Sequence, residues 1–159
     1  MNSSKPHRPT GKTIGCLLAL VILASEGSSA ANPAGSGPQA ITIVQHSGLS
    51  GTNTFVATGA VNDLGAVVLD SVLATALPAP VVGTAHYIRT YYGAAGTFTV
   101  QMQTLLTPTD VPWLWAETGH WVIIEGTGAY AGLQGAGEES GIRDFSTQTL
   151  VAVFEGKVH

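Results

Sequence analysis

The sequence predicts an all-β protein built as one eight-stranded antiparallel closed barrel. Three observations predict it. Seven or eight short runs rich in Val, Ile, Thr and aromatic residues are separated by Gly, Pro, Asn and Asp turn signals. The runs follow one another hairpin by hairpin, which describes a meander, and closing a meander removes its exposed edges. No convincing long helix and no fixed-period repeat interrupts them.

The outer boundaries come first. Lys5, His7, Arg8 and Lys12 form a basic leader, Ile14–Ala24 is an apolar run, and Ser28-Ser29-Ala30 offers small residues for cleavage. That order predicts a secretory signal peptide over 1–30, cut near Ala30, and a secreted (extracellular or periplasmic) product. The apolar run is much shorter than the ~20 residues of a membrane span, so cleavage is expected rather than stable membrane insertion. Cys16 is the only cysteine and leaves with the leader, so the remainder has no disulfide and relies on its core. A domain of about 130 residues can do so. Residues 31–39 read as a flexible lead-in rich in Pro, Gly and Ser, and 40–159 as a single barrel domain.

Charge narrows the function. Residues 31–159 hold three fixed cations, Arg89, Arg143 and Lys157, against nine carboxylates, a net of −6. Such a product has no electrostatic footprint for nucleic acid or anionic lipid. With 45% hydrophobic residues and few charges, it is expected to fold compactly rather than stay disordered.

Along the chain, Ile41–His46 is the first expected strand and Ser47–Asn53 a turn cluster. Phe55–Val61 is the second strand, with Gly59 marking a bulge or bend. Asn62–Gly65 carries tight-turn chemistry. Ala66–Leu77 reads as a strand, with a short helix as the alternative, and Pro78-Ala79-Pro80 ends it. Val81–Tyr92 and Gly96–Leu106, joined by Gly93–Gly96, give the clearest hairpin signal. Thr107–Gly119 reads as an irregular loop carrying Trp113 and Trp115. A strand around Trp121, a glycine-rich segment, a strand over Gln134–Ile142 and a last strand over Thr147–Val158 complete the series.

The glycine-rich segment, Gly126–Gly137, organises the second half. Glycine at this density is unfavourable in a regular element, so the backbone must need positive φ or close approach there. Tyr130 and Leu133, three apart, share one face of a single helical turn and can plug an apolar hole. Gly126-x-Gly128-x-x-Ala131 formally fits a dinucleotide fingerprint, with Asp144 beyond it. That fingerprint needs a following helix, and Gln-Gly-Ala-Gly-Glu-Glu-Ser-Gly cannot propagate one. The run from Trp121 to Gly137, with Gly126, Thr127, Gly128, Tyr130, Gly132 and Gly135 at its marked positions, resembles the allene oxide cyclase and dirigent barrel superfamily. Gly96–Val100 and Phe154–Val158 look like strands of small exported bacterial relatives. The resemblance implies an eight-stranded barrel with an apolar lumen, assembled as a homodimer or homotrimer. The activities it implies are cyclisation of fatty-acid epoxides or polyketide-like substrates and steering of radical coupling, with no metal or organic cofactor. One departure stands out. The plant cyclases place an acid early in the barrel, whereas Ile41–His46 has none and Asp63 and Asp70 are the nearest substitutes.

Strand alternation sorts the candidate site residues. Tyr87, Arg89 and Tyr91 share one face of their strand, and Trp121, Ile123 and Glu125 share one face of theirs. Facing inward, Tyr87, Tyr91, Trp121 and Ile123 would line a ligand pocket, while Arg89, Glu125 and Tyr87 would be the weak catalytic candidates, polarising one oxygen of an apolar substrate. The simpler expectation leaves Arg89 and Glu125 facing solvent, where an ion pair contributes little, and the aromatics merely packed. His46, His86 and His120 lie on separate strands without metal-ligand spacing, so no metal is expected. Glu138 and Glu139, between glycines, read as a solvated turn or strand edge, and His159 as a disordered end. There is no Gly-x-Ser-x-Gly elbow and, past the leader, no cysteine nucleophile.

The expected function is therefore a secreted barrel that binds an apolar small molecule in its lumen, with no turnover assigned. One alternative is a cofactor-free cyclase or isomerase acting on a lipid- or polyketide-like substrate. Another is a surface interaction protein using the Trp113–Trp115 loop, although packing of that loop onto the barrel end is the simpler expectation.

Overall fold

In β1 (Gln39–Ser47), Ile41, Ile43 and Gln45 are buried, while Thr42, Val44 and His46 look outward. The period of two, carried by β-branched residues, is what a strand with one buried face requires. The same logic builds β2 (Thr54–Gly59), β3 (Asp63–Ala76), β4 (Gly83–Gly93), β5 (Thr97–Pro108), β6 (Leu114–Gly126), β7 (Gly135–Asp144) and β8 (Thr149–Val158). Each pairs antiparallel with the next, and β8 pairs with β1, giving a closed eight-stranded barrel in sequence order. The computed structural model describes residues 37–48, 53–76 and 83–159. The expected leader, most of the lead-in, part of the Ser47–Asn53 turn and the Pro78-Ala79-Pro80 break lie outside the described residues.

Two bulges re-aim the walls. In β3 the register steps from Leu69 opposite Arg89 to Ser71 opposite Ile88, so Asp70 is the extra residue. In β6 Ile123 pairs with Val100 and Glu125 with Thr99, so Ile124 is the extra residue. An inserted residue reverses the alternation beyond it.

One end of the barrel is packed shut. Phe55, Tyr91, Phe98 and Phe154 meet there, with the Tyr91 and Phe98 rings stacked 4.8 Å apart. A single 3-10 turn, Gly128–Tyr130, closes this end, its Tyr130 ring edge-on to Phe98 at 5.5 Å. Leu133 packs against the same core, as the spacing predicts. Gly126 is required because a Cβ there would strike the Tyr130 backbone, and Gly128 because its φ is +60°. The expected Asn62–Gly65 turn is displaced: Asp63 already begins β3. Its carboxylate accepts hydrogen bonds from the Tyr130 hydroxyl and from the backbone N–H of Leu64, Ala94 and Ala95. The candidate alternative helix over Ala66–Leu77 is a strand as far as Ala76.

The Thr107–Gly119 loop is also corrected. β5 continues to Pro108 and β6 starts at Leu114, so only 109–113 connects them. Trp115 belongs to β6 and packs edge-on against Phe145 at 5.6 Å, which leaves Trp113 alone exposed. His159 is not adrift, because it exchanges two backbone hydrogen bonds with Gln134.

Candidate functional site

The end of the barrel opposite the tyrosine plug is not filled by the described residues. A cavity of about 400 Å³ enters there between the end of β1, the far half of β3, the start of β4 and the β7–β8 turn. Its apolar wall comes from Val67, Leu69, Val72, Leu106, Phe145 and Leu150. The β3 bulge at Asp70 accounts for part of this wall, since it turns Val72 and Ala74 toward the opening. Asp70 itself faces outward and accepts a hydrogen bond from the Thr90 hydroxyl.

Tyr87 and Arg89 both border the cavity. The expectation that Arg89 faces solvent is overturned: it is only 4% exposed, because it holds an inward position between Tyr87 and Tyr91 on β4. Its guanidinium lies 4.5 Å from the Tyr87 ring centroid, and Nη1 donates to Gln45 Oε1 at 3.3 Å. Tyr91 donates to the same Gln45 oxygen at 2.8 Å. Burial pushes the Tyr91 phenol well above its ordinary range and raises that of Tyr87 as well, where the Glu117 charge adds to the effect. Both phenols are therefore neutral donors.

Glu125 does not join them. The Ile124 bulge returns it to the outer wall, so the inward grouping of Trp121, Ile123 and Glu125 is corrected to Trp121 and Ile123 alone. Those two and Tyr91 face the interior in its packed part and are not among the residues bordering the cavity. Trp121 fits there because the positions in register with it on β7 and β8 carry no side chain. Gly137 lies directly opposite, and a Cβ on Gly156 would stand 2.5 Å from the indole.

Sequence reasoning missed the polar part of the interior. Glu139 is 2% exposed, not solvated, while Glu138 beside it faces out. Thr104 donates its hydroxyl to Glu139 Oε2 at 2.7 Å, reaching across the gap that Gly119 leaves on β6. Glu117 is fully buried and takes a short, charge-assisted hydrogen bond from Arg143 Nε. Glu117 Oε2 and Glu139 Oε1 have no hydrogen-bond partner among the described residues. Burial raises the Glu139 pKa, the Thr104 hydroxyl and the Arg89 charge pull it back, and the Glu117 charge raises it again; the net shift is upward. Burial works against the Arg143 charge, but the bond and charge of Glu117 outweigh it and hold the guanidinium protonated. The signal that could have found Glu139 was its flanking: Gly137 and Gly141 sit two positions to either side, on the face that β7 gives to the crowded interior.

Asp63 and Asp70, the nearest substitutes for an early acid, are spent elsewhere: one holds the plug, the other lies on the outer wall. The interior position on β1 that borders the cavity is Gln45. A larger hollow of about 610 Å³ lies over Gly119 on the outside, walled mainly by outward residues such as His120, Glu138 and Glu155. Leu105 and Val153 are its large apolar residues among those described, and no arginine or lysine borders it to fix a ligand.

Fold and site together define an antiparallel barrel closed at one end, with an apolar vestibule floored by a buried arginine at the other. Compared with known proteins, the chain matches no family, no curated protein and no solved structure.

Proposed function

We propose that this barrel binds an apolar small molecule in the open half of its lumen. One observation carries the reading: the cavity is concave, within the usual ~300–1,000 Å³ of ligand sites, and sets an apolar wall against the polar side chains of Gln45, Ser47, Asn53, Arg89, Arg143 and Gln148. The proposed barrel type is that of the allene oxide cyclase and dirigent superfamily. The closed meander and the tyrosine plug behind Gly126-Thr127-Gly128 support it. Secretion after cleavage near Ala30 is part of the same proposal, supported by the basic leader and apolar run of residues 1–30.

The barrel works in water rather than across a bilayer. In support, His86, Gln103, His120, Glu138 and Glu155 are neighbours in register around the outer wall, where charges facing lipid are costly. Homodimer or homotrimer assembly is supported by the exposed Leu64, Val68 and Leu73 of β3. A second reading, a cofactor-free cyclase or isomerase, draws on the inward Arg89, which could polarise a substrate oxygen at the cavity floor.

Native mass spectrometry of the protein from its own host, followed by solvent extraction, tests the binding reading. An apolar small molecule bound in a fixed ratio is the expected result. An empty protein that also refuses added apolar probes would sink it.

A further inference from the structure

The cavity has an unusual charge. Of the three fixed cations in residues 31–159, two, Arg89 and Arg143, border this one opening. No carboxylate is among the described residues bordering it, although this part of the chain has nine. Arg143 is matched by Glu117. Arg89 is different: among the described residues it makes no ion pair, and its partners are a neutral amide and a neutral ring. The Glu139 carboxyl acts on Arg89 only through space, without an ion pair, while its Oε2 accepts from Thr104. A buried cation that no ion pair matches is expensive, and an anion arriving within hydrogen-bond reach offsets that cost.

Resting on the lumen-binding reading above, we infer that the ligand of this cavity is an amphiphile whose anionic head, a carboxylate or similar small anion, sits against Arg89. Its apolar body points outward along Val67, Leu69, Val72 and Leu106. The guanidinium can present a flat pair of donors to such a head. Gln45 holds the floor in place, since its Oε1 accepts from both Arg89 and Tyr91 while its Nε2 donates to Ser47 Oγ at 2.8 Å. Ser47 also borders the cavity, and its hydroxyl hydrogen can serve the same head. A neutral or cationic head of equal chain length gains none of this.

The test compares three probes with one ten-carbon chain at pH 7: decanoate, 1-decanol and decyltrimethylammonium. Calorimetric titration of the purified protein should give decanoate an affinity about tenfold or more above 1-decanol, the scale of one charge-assisted bond. The ammonium probe should bind more weakly than either. Arg89→Met should bind decanoate only as well as 1-decanol, and Arg89→Lys should restore part of the preference, with unchanged near-ultraviolet circular dichroism showing that both are folded. Should 1-decanol bind the wild type as tightly as decanoate, the anionic head is overturned while lumen binding stands. A decanoate preference that survives in Arg89→Met overturns the assignment of Arg89. Binding of none of the probes to the folded protein overturns this inference together with the lumen reading it rests on.

Discussion

Tyr130 donates its hydroxyl to Asp63 Oδ2 at 2.5 Å, tying the plug after β6 to the start of β3. The same carboxylate holds Ala94 and Ala95 in the β4–β5 turn. One side chain thus fastens three separate connections at the closed end of the barrel. Tyr130→Phe should lower stability by about 1–3 kcal/mol, and Asp63→Ala by at least as much, in urea unfolding. A loss under about 0.5 kcal/mol in both would mean that the plug is held by packing alone.

The acid side of the stability profile follows from the same group. Burial alone would raise the Asp63 pKa, but the Tyr130 hydroxyl and three backbone N–H groups more than offset it, and the net value falls below the ordinary 3.8. Its contribution is therefore present above pH 3.8 and is lost as pH drops through the lower folded value. Tyr130→Phe should flatten this acid limb as followed by Tm.

Glu139 acts with the opposite sign. Its pKa in the fold lies above the ordinary 4.5, so the stability linked to its protonation is complete below 4.5 and is lost as pH rises through the folded value. The charged and polar groups around it are Arg89 on β4, Thr104 on β5, Glu117 on β6 and Arg143 on β7. Glu139→Gln should remove this decline above pH 4.5 while leaving the acid limb unchanged. Parallel Tm curves for wild type and variant over that window would show that Glu139 is not strained by burial.

Gly156→Ala should be disruptive for a side chain that small. The added methyl meets the Trp121 ring and the Ala136 carbonyl, and the carbonyl cannot retreat without moving backbone. A loss of about 1–3 kcal/mol is expected from overpacking. Trp121→Ala should cost about 3–5 kcal/mol through the cavity it leaves. Pairing Gly156→Ala with Trp121→Phe should recover part of the first loss if the indole is the obstacle.

Filling the vestibule separates binding from folding. Leu106 borders the cavity at 8% exposure. Leu106→Trp should weaken retention of any lumen ligand about tenfold or more while leaving the barrel folded. Undiminished retention would move the ligand elsewhere.

Much of this architecture was legible because period-two alternation is a local property. Tyr87, Arg89 and Tyr91 fell on one face in the sequence and do so in the barrel. The tyrosine plug was legible from glycine density and the three-residue spacing of Tyr130 and Leu133. What escaped were features set by the partner strand. Nothing in the sequence announces that Ile124 is an extra residue in β6, so alternation grouped Glu125 with Trp121 and Ile123, although it faces outward as the simpler expectation had it. Glu117 falls in a stretch that reads as a loop and Glu139 in one that reads as a solvated turn or strand edge, which hid both. Their burial depends on Arg143 and Thr104 from neighbouring strands, and on the space left at Gly119. Gln45 shares the inward face of Ile41 and Ile43 and could have been chosen from alternation alone.

The most direct measurement is methyl NMR of the Ile, Leu and Val side chains during titration with decanoate. The account predicts shifts at Val67, Leu69, Val72, Leu106 and Leu150, which border the vestibule. Ile41, Ile43 and Val100 in the packed interior should stay still. Shifts confined to outward methyls such as Val56, Leu64 and Val151, with the vestibule unmoved, would contradict it.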